Sequence, residues 1–413
     1  VNLGKIIGAN VSVFSALLRN SGHVEAVGAV VGQGGIIRFK GQNGVNTSAS
    51  SVIKASGSQS GQIEISAPQG DALVAGQVLA EGNSGQGGDV QITGDRVAIL
   101  RGARVSADGR DGGGKVRVGG GWRGADPALQ NARQTVIQND AVVSASAAEA
   151  GNGGEVVAFS SGYTQVDGAL QARGGQLGGD GGRIEASGLT GISITHVPDT
   201  LAPKGKNGEF LLDPRNLEVV ATLPPSPAPS PQTTVIGGAN GPETEISTRF
   251  QESGAGSETS FITNQFVVDA LQNNGTVNLV TTGTTAGDGN ITISSPILVS
   301  QDFRIDPSIS PPPAPAPVNL VLEAQGDVFS NAPVGIAPTP VSPYTKFDLT
   351  LRFDNDRGVL INAPLSLGAS GSLIIQPYQN TSLGSLGVIP SGVTFINGVN
   401  PGAAVQKIFD IYT

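Results

Sequence analysis

The sequence has no cysteine, no methionine, two histidines and a single Trp, and aromatic residues make up only 4% of it. Without cysteine there is neither a disulfide framework nor a thiolate metal site. His23 and His196 lie far apart and in no motif, so a histidine-based acid–base or metal site has no support. No residue pattern implies a cofactor. A chain of 413 residues this poor in large side chains does not suit a compact globular core; it suits a narrow fold built from small and β-branched residues. Basic residues are also scarce, 24 Lys and Arg against 33 Asp and Glu, for a net charge of -9 with no basic cluster. That balance argues against a nucleic-acid partner. No apolar run approaches the roughly 18 to 20 residues that span a bilayer. Val1 opens the chain without a methionine or a signal-like segment, which suggests processing.

What the chain has in abundance is glycine, 61 residues of it, together with 26 prolines. Disorder is the bland reading of such a composition, but a regular apolar alternation stands against it. A glycine-led opening recurs at Gly34-Gly35-Ile36-Ile37, Gly61-Gln62-Ile63, Gly87-Gly88-Asp89-Val90, Gly113-Gly114-Lys115-Val116, Gly153-Gly154-Glu155-Val156, Gly181-Gly182-Arg183-Ile184 and Asn207-Gly208-Glu209-Phe210. The period is about 26 to 28 residues, broken once by an interval of about 40. An apolar-x-Ala-x-Gly phrase runs in phase with it, at 24–28, 53–57, 78–82, 105–109 and 170–174. Within one unit the apolar residues alternate in three short runs, for example Val90-Gln91-Ile92, Val97-Ala98-Ile99 and Val105-Ser106-Ala107. Period two means strands.

Three short strands cannot bury an apolar face alone, so each unit must stack on the last, every strand pairing in parallel with its equivalent. The fold this predicts is a right-handed parallel β-helix with three strands and about 26 residues per coil, extruded loops and one short helix. Ala26, Ala55, Ala80, Ala107 and Ala172 should form one inward column, with the glycines supplying positive φ at the corners. Some 14 to 16 coils would give a rod of about 65 to 80 Å.

Gly151 to Val220, ending in Leu211-Leu212-Asp213-Pro214-Arg215-Asn216-Leu217, resembles the repeat region of the filamentous haemagglutinin family, large exoproteins exported by two-partner secretion. The resemblance is strongest over 85–220 and continues more loosely through 275–298 and 318–376. It implies a secreted, extracellular or cell-surface rod that acts structurally or by adhesion, with an outer-membrane secretion partner, and surface glycans as possible ligands. The lack of cysteine suits passage through an outer-membrane pore. The family's amino-terminal secretion domain is not recognisable, so the chain looks like a portion of something longer.

Along the chain, 1–220 reads as regular β-helix and 221–413 as an irregular continuation. An insertion near 119–135 accounts for the long interval and carries the only Trp. As an extruded loop it would offer Trp122, Arg123 and Asp126 as partner contacts. Alternatively Trp122 folds back to cover the flank of the coil. Proline-rich stretches at 223–231 and 310–317 cannot lie in internal strands and read as projecting loops. Thr263 to Gly275 reads as a helix capped by Thr263 or Asn264, with Phe266, Val267, Ala270 and Leu271 on the face that packs on the side of the rod. Strands resume from Val277 onwards.

Parallel β-helices also host carbohydrate-active enzymes, which need converging carboxylates. Asp71, Asp89, Asp95, Asp108, Asp111, Asp167 and Asp180 fall at turns of differing phase, so the residues favour a non-enzymatic rod, with the enzyme, or an inert stalk of a haem-scavenging or toxin-delivery exoprotein, as the alternatives. Sequons at Asn10, Asn46, Asn274, Asn290 and Asn380 arise readily by chance in a chain rich in Asn, Ser and Thr. Finally, both ends read as bare strand. Either the native chain continues past both ends, or Leu3 and Ile6 at one, and Ile408, Phe409, Ile411 and Tyr412 at the other, join copies end to end by strand addition into a filament.

Overall fold

The computed structural model of the chain describes residues 1–27, 34–57, 61–224, 259–283, 288–299, 318–337, 346–353, 359–367 and 371–377. Alternation sets the architecture. In Asp89–Ile99 the side chains of Val90 and Ile92 point inward and are fully buried, while Gln91 between them faces out. Strand Lys115–Val118 then lies parallel between Asp89–Ile99 and Glu155–Ser160, with Val116 level with Val90 on one side and Val156 on the other. The same pairing repeats through twelve levels of the first wall, from Asn10–Asn20 to Leu373–Pro377. A third wall of seven strands runs from Lys5–Gly8 to Ala169–Gln171, and is resumed higher up by Ile297–Val299, Val334–Ile336 and Leu365–Ser366. The fold is a parallel β-helix, and one core runs through it from Val11 to Leu367.

In the lowest four levels of the first wall the strand passes through the corner into the second wall, as Asp89–Ile99 does. Above them the insertion after Val118 separates the two walls into distinct strands, Lys115–Val118 and Gln134–Ile137.

The alanine column is present: Ala26, Ala55, Ala80, Ala107 and Ala172 are all fully buried, and Ala145 joins them. Each alanine carbonyl accepts the N–H of the glycine that opens the next coil, Gly88 to Ala80 and Gly114 to Ala107 at 2.8 Å and Gly182 to Ala172 at 2.7 Å. Positive φ is found at the corner between the second and third walls, at Gly76 (74°) and Gly102 (70°), but not at the glycines that open the coils. None of Gly61, Gly88, Gly114, Gly154, Gly182 and Gly208 is in the left-handed region. They are required by stacking: a Cβ on Gly154 would stand 1.9 Å from the Gly114 carbonyl oxygen, and one on Gly182 2.0 Å from that of Gly154. At this corner the coils from Gly61 to Gly208 rest on bare backbone, whereas two of the upper coils carry Val318 and Phe347 in the same column.

Two features depart from simple stacking. Thr259–Thr263 pairs with Asn216–Val220, which pairs on its other side with Ile291–Ile293. The Ser260 hydroxyl also accepts the Ile192 N–H at 2.9 Å, so this strand lies out of sequence order between Gly191–Ile194 and Asn216–Val220. On the first wall the same coils touch directly, Ile184 level with Phe210. The second wall therefore carries an extra strand, about 4.8 Å of height.

The helix Asn264–Asn273 compensates on the third side, being about 10 Å across. Thr263 caps it, accepting from the Phe266 N–H at 3.1 Å, and Asn274 ends it. It does not pack on the side of the rod as expected but stands in the wall. Phe266 meets Phe210 edge to face at 6.3 Å, and the Asn274 side chain accepts from Thr200 and donates to Pro198 and Ala270. With both ends of its amide engaged and no exposure, Asn274 is closed to glycosylation in the fold.

The expected 14 to 16 coils become twelve levels among the described residues, about 55 Å of stack. One coil step takes the chain from Phe210 to Val277 and the next from Val277 to Leu320, so these two steps use far more than 26 residues each. Residues 225–231 and 310–317 of the proline-rich stretches lie outside the described residues, as do Ile408, Phe409, Ile411 and Tyr412.

The glycine column supplies a direct test. Gly154→Ala should lower stability by about 1–3 kcal/mol or more, because backbone rather than a flexible side chain must yield. The urea midpoint followed by far-ultraviolet circular dichroism checks it; an unchanged midpoint would mean that the coils are not in contact there.

Candidate functional site

The insertion forms a strap. Its base is closed by the Ala132 N–H donating to the Gly119 carbonyl at 2.6 Å, and from there it turns back along the outer face of the first wall. Gly124, at φ 63°, lies so close to the ring of buried Phe159 that a Cβ would stand 2.3 Å from its Cζ. Asn131 holds the curve by donating to the Gly124 carbonyl at 2.9 Å. Gln130 reaches the Pro68 carbonyl at 3.1 Å.

The structure thus chooses between the two arrangements open for Trp122. The ring is half-buried against the flank, with the Arg183 guanidinium stacked over it at 4.4 Å. Arg183 is itself held by Glu155, its Nε 2.8 Å from Oε2. Asp126 accepts the Ala128 N–H at 2.9 Å and faces Arg117 at 3.5 Å. Arg123 adopts a left-handed backbone, φ 53°. This turn aims its N–H at Glu185 Oε2, 2.7 Å away, and its guanidinium at Glu323, 3.3 Å away. Trp122, Arg123 and Asp126 are brought together, and all three engage the wall beneath them.

Beneath the strap lies the feature that the sequence reading missed. Glu185, Asp213 and Glu323 come from three different levels of the first wall, point outward and are buried. Asp213 stands one level above Glu185 and two residues along, level with Ser187. Glu323 is two levels above Asp213, about 10 Å. Outward-facing Phe159, Leu211, Val280 and Val321 are buried around them, so this stretch of wall is dry on both faces. A hint was legible: Phe210-Leu211-Leu212-Asp213 and Leu320-Val321-Leu322-Glu323 are continuous apolar runs ending in an acid, the pattern of strands covered on both sides.

Burial pushes the Glu185 carboxyl up to about 7, against the opposing Arg123 N–H and the neighbouring Ser187 hydroxyl. Asp213 is pushed up to about 6, again chiefly by burial; the Thr282 hydroxyl, 3.0 Å from both carboxylate oxygens, works the other way. Glu323 is matched by Arg123 and by Arg352, whose Nη1 is 3.1 Å from Oε2. Glu185 Oε1 and Ser187 Oγ, both buried, make no hydrogen bond of standard geometry. Among the described residues no three His, Asp or Glu side chains are placed to hold a metal ion.

The acids singled out from the sequence behave differently. Asp71 forms a two-point pair with Arg96 at 2.7 Å, Asp95 pairs with Arg133 at 3.2 Å and Asp108 with Arg104 at 2.9 Å. These tie the solvated outer face together. His23 lies 3.4 Å from Glu25, and exposed His196 touches only Thr195, so the histidines do not converge.

No protein-family model matches the chain, and no curated protein is similar to it at a meaningful level.

The buried acids make stability depend on pH with a definite sign. A carboxyl whose pKa is raised on folding stabilises the fold fully below its unfolded value and ceases to do so as pH rises through its folded value. For Asp213 and Glu185 that window runs from about pH 4 up through about 6 and about 7. The urea midpoint should therefore fall between pH 5.5 and pH 8, by an amount corresponding to a few kcal/mol at most. A midpoint that holds steady or rises over this range would show that the two groups are ionised without penalty.

Proposed function

We propose that this chain is the rod of a secreted, cell-surface exoprotein of the filamentous haemagglutinin kind, acting structurally or by adhesion and exported with an outer-membrane partner. The supporting observation is the ladder itself: twelve levels in which each strand of the first wall pairs in parallel with those of the adjacent levels, an arrangement that extends in one direction. Length is what such a stack provides, and holding contacts away from a surface is what length does. No helix of the described residues is long and apolar enough to cross a membrane.

End-to-end stacking belongs to the same proposal. At the first level three exposed outward positions are apolar, Ile7, Phe14 and Leu17, beside polar Lys5, Asn10 and Ser12, with Leu3 next to them and Ile6 partly tucked against the core. One level on, the same columns carry Glu25, Lys40 and Gly44. The change from Ile7 to Glu25 and from Phe14 to Lys40 within a single step supports a covered first coil. A second copy, stacked on the open edge of Asn10–Asn20, would cover it.

Electron microscopy of the purified chain over a range of concentrations tests this. Rods joined into strings are expected, reduced to single rods by the double substitution Phe14→Lys and Leu17→Lys. Single rods at every concentration would remove the stacking. The functional reading has its own test: if an acidic polysaccharide is cleaved, and Glu185→Gln or Asp213→Asn abolishes the turnover, the chain is a carbohydrate-active enzyme instead.

A further inference from the structure

The strap carries the single Trp and an arginine in left-handed conformation, and it covers the most deeply buried charged groups of the described rod. A contact loop would have no reason to place its arginine on internal acids, and a passive cover would have no reason to cover acids at all. We propose that the strap over residues 119–133 is a proton-controlled latch, closed over the first wall while the carboxyl set beneath it holds a proton, and released when that set ionises fully.

The geometry supplies the mechanism. Arg123 makes two attachments at once, its N–H to Glu185 and its guanidinium to Glu323, and so fastens an insertion that leaves the wall at Val118 to a strand five levels higher. The charged groups meeting there are Glu185, Asp213 and Glu323 from the wall, Arg123 from the strap and Arg352 beside Glu323. At the margins Asp126 of the strap faces Arg117, which also holds Asp89, and Arg183, under Trp122, holds Glu155. Carboxylates outnumber guanidiniums at both the centre and the edge. With all of them ionised the dry centre carries uncompensated negative charge, which a low-dielectric site tolerates poorly.

A proton on Glu185 removes the excess where it is greatest. The Ser187 hydroxyl, two residues along the same face of the strand, can donate to the carboxylate or accept from the carboxylic acid, so either state of Glu185 has a neighbour beside Oε1. Oε2 keeps the Arg123 N–H in either state, so the proton closes the latch without displacing its anchor. Ionisation reverses this: the carboxylates repel one another, and the exposed half of the Arg123 side chain offers a route for water to reach them.

Hydrogen exchange on the full chain tests the latch, with the strap amides of residues 119–133 as the readout and those of Val90–Ile92 as the internal control. After correction for the intrinsic pH dependence of exchange, strap protection should fall roughly tenfold between pH 5.5 and pH 7 and level off above, while the control amides stay protected. Acrylamide quenching of Trp122 should rise over the same interval. Glu185→Gln should hold the strap closed at every pH, and Arg123→Ala should leave it open at every pH. Strap protection independent of pH, an unaltered step in Glu185→Gln, or equal loss at Val90–Ile92 would each overturn the proposal.

Discussion

Everything in this molecule follows from coils that must rest on one another at the spacing of paired parallel strands, about 4.8 Å. At the corner after the third wall that spacing leaves no room for a side chain from Gly61 up to Gly208; higher in the stack the same column carries the buried side chains of Val318 and Phe347. The glycines from Gly61 to Gly208 stand Cα against the carbonyl of the coil below, and the preceding alanine closes the turn by accepting the glycine N–H. Because each coil must return to this corner in register, the rest of it can vary in length without disturbing the stack. The chain exploits this freedom four residues after Gly114, where the strap departs, and again after Val220, where the excursion leads into Thr259–Thr263 and the helix. Insertions of such different lengths are compatible with one ladder because the fixed point lies elsewhere in the coil.

The repeat was legible because a column leaves the same residue type at the same phase of every unit. Alternation gave the walls, and the alanine phrase gave a column that is completely buried. The glycines that open the coils were found for the wrong reason, while Gly76 and Gly102 do turn a corner at positive φ: close stacking and positive φ leave the same letter in a sequence, and only the backbone distinguishes them. Ala145 escaped because its unit, Val143-Ser144-Ala145-Ser146-Ala147, lacks the glycine that completes the phrase, although the alanine occupies the same column. Thr259–Thr263 escaped for a deeper reason. Its partner Asn216–Val220 precedes it in the chain but lies above it in the stack, and no periodic count detects a strand that returns to an earlier level.

The strap site was legible only in part. The insertion and its Trp announce themselves, and a folded-back ring was one of the two arrangements open to it. The acids beneath could not be found by looking for spacing, because Glu185, Asp213 and Glu323 are set in three different coils separated by irregular excursions. Their convergence is a property of the register. Acids on the solvated faces, such as Asp71 and Asp108, are the conspicuous ones in the sequence since they sit among polar turn residues, yet each ends in an ion pair with a neighbouring arginine. Asp213 and Glu323 stand where an acid is least expected, at the end of an apolar run, whereas Glu185 sits in the ordinary alternation Arg183-Ile184-Glu185-Ala186 and leaves no such mark.

Stability alone does not account for keeping three carboxyl groups in a dry wall. Replacing a buried ionic set by apolar side chains of similar size is often neutral or stabilising, whereas removing one member of it exposes the rest to uncompensated charge. Neighbouring positions on the same outer face already carry Phe159, Leu211, Val280 and Val321, so apolar residues fit there and pack well. An acid at Glu185 thus brings something that leucine at Leu211, one level up in the same column, does not: a contact whose strength depends on a proton. Placed under a segment that leaves the wall and returns to it, that dependence would act first on the strap, since the glycines that hold the coils from Gly61 to Gly208 together carry no titratable group.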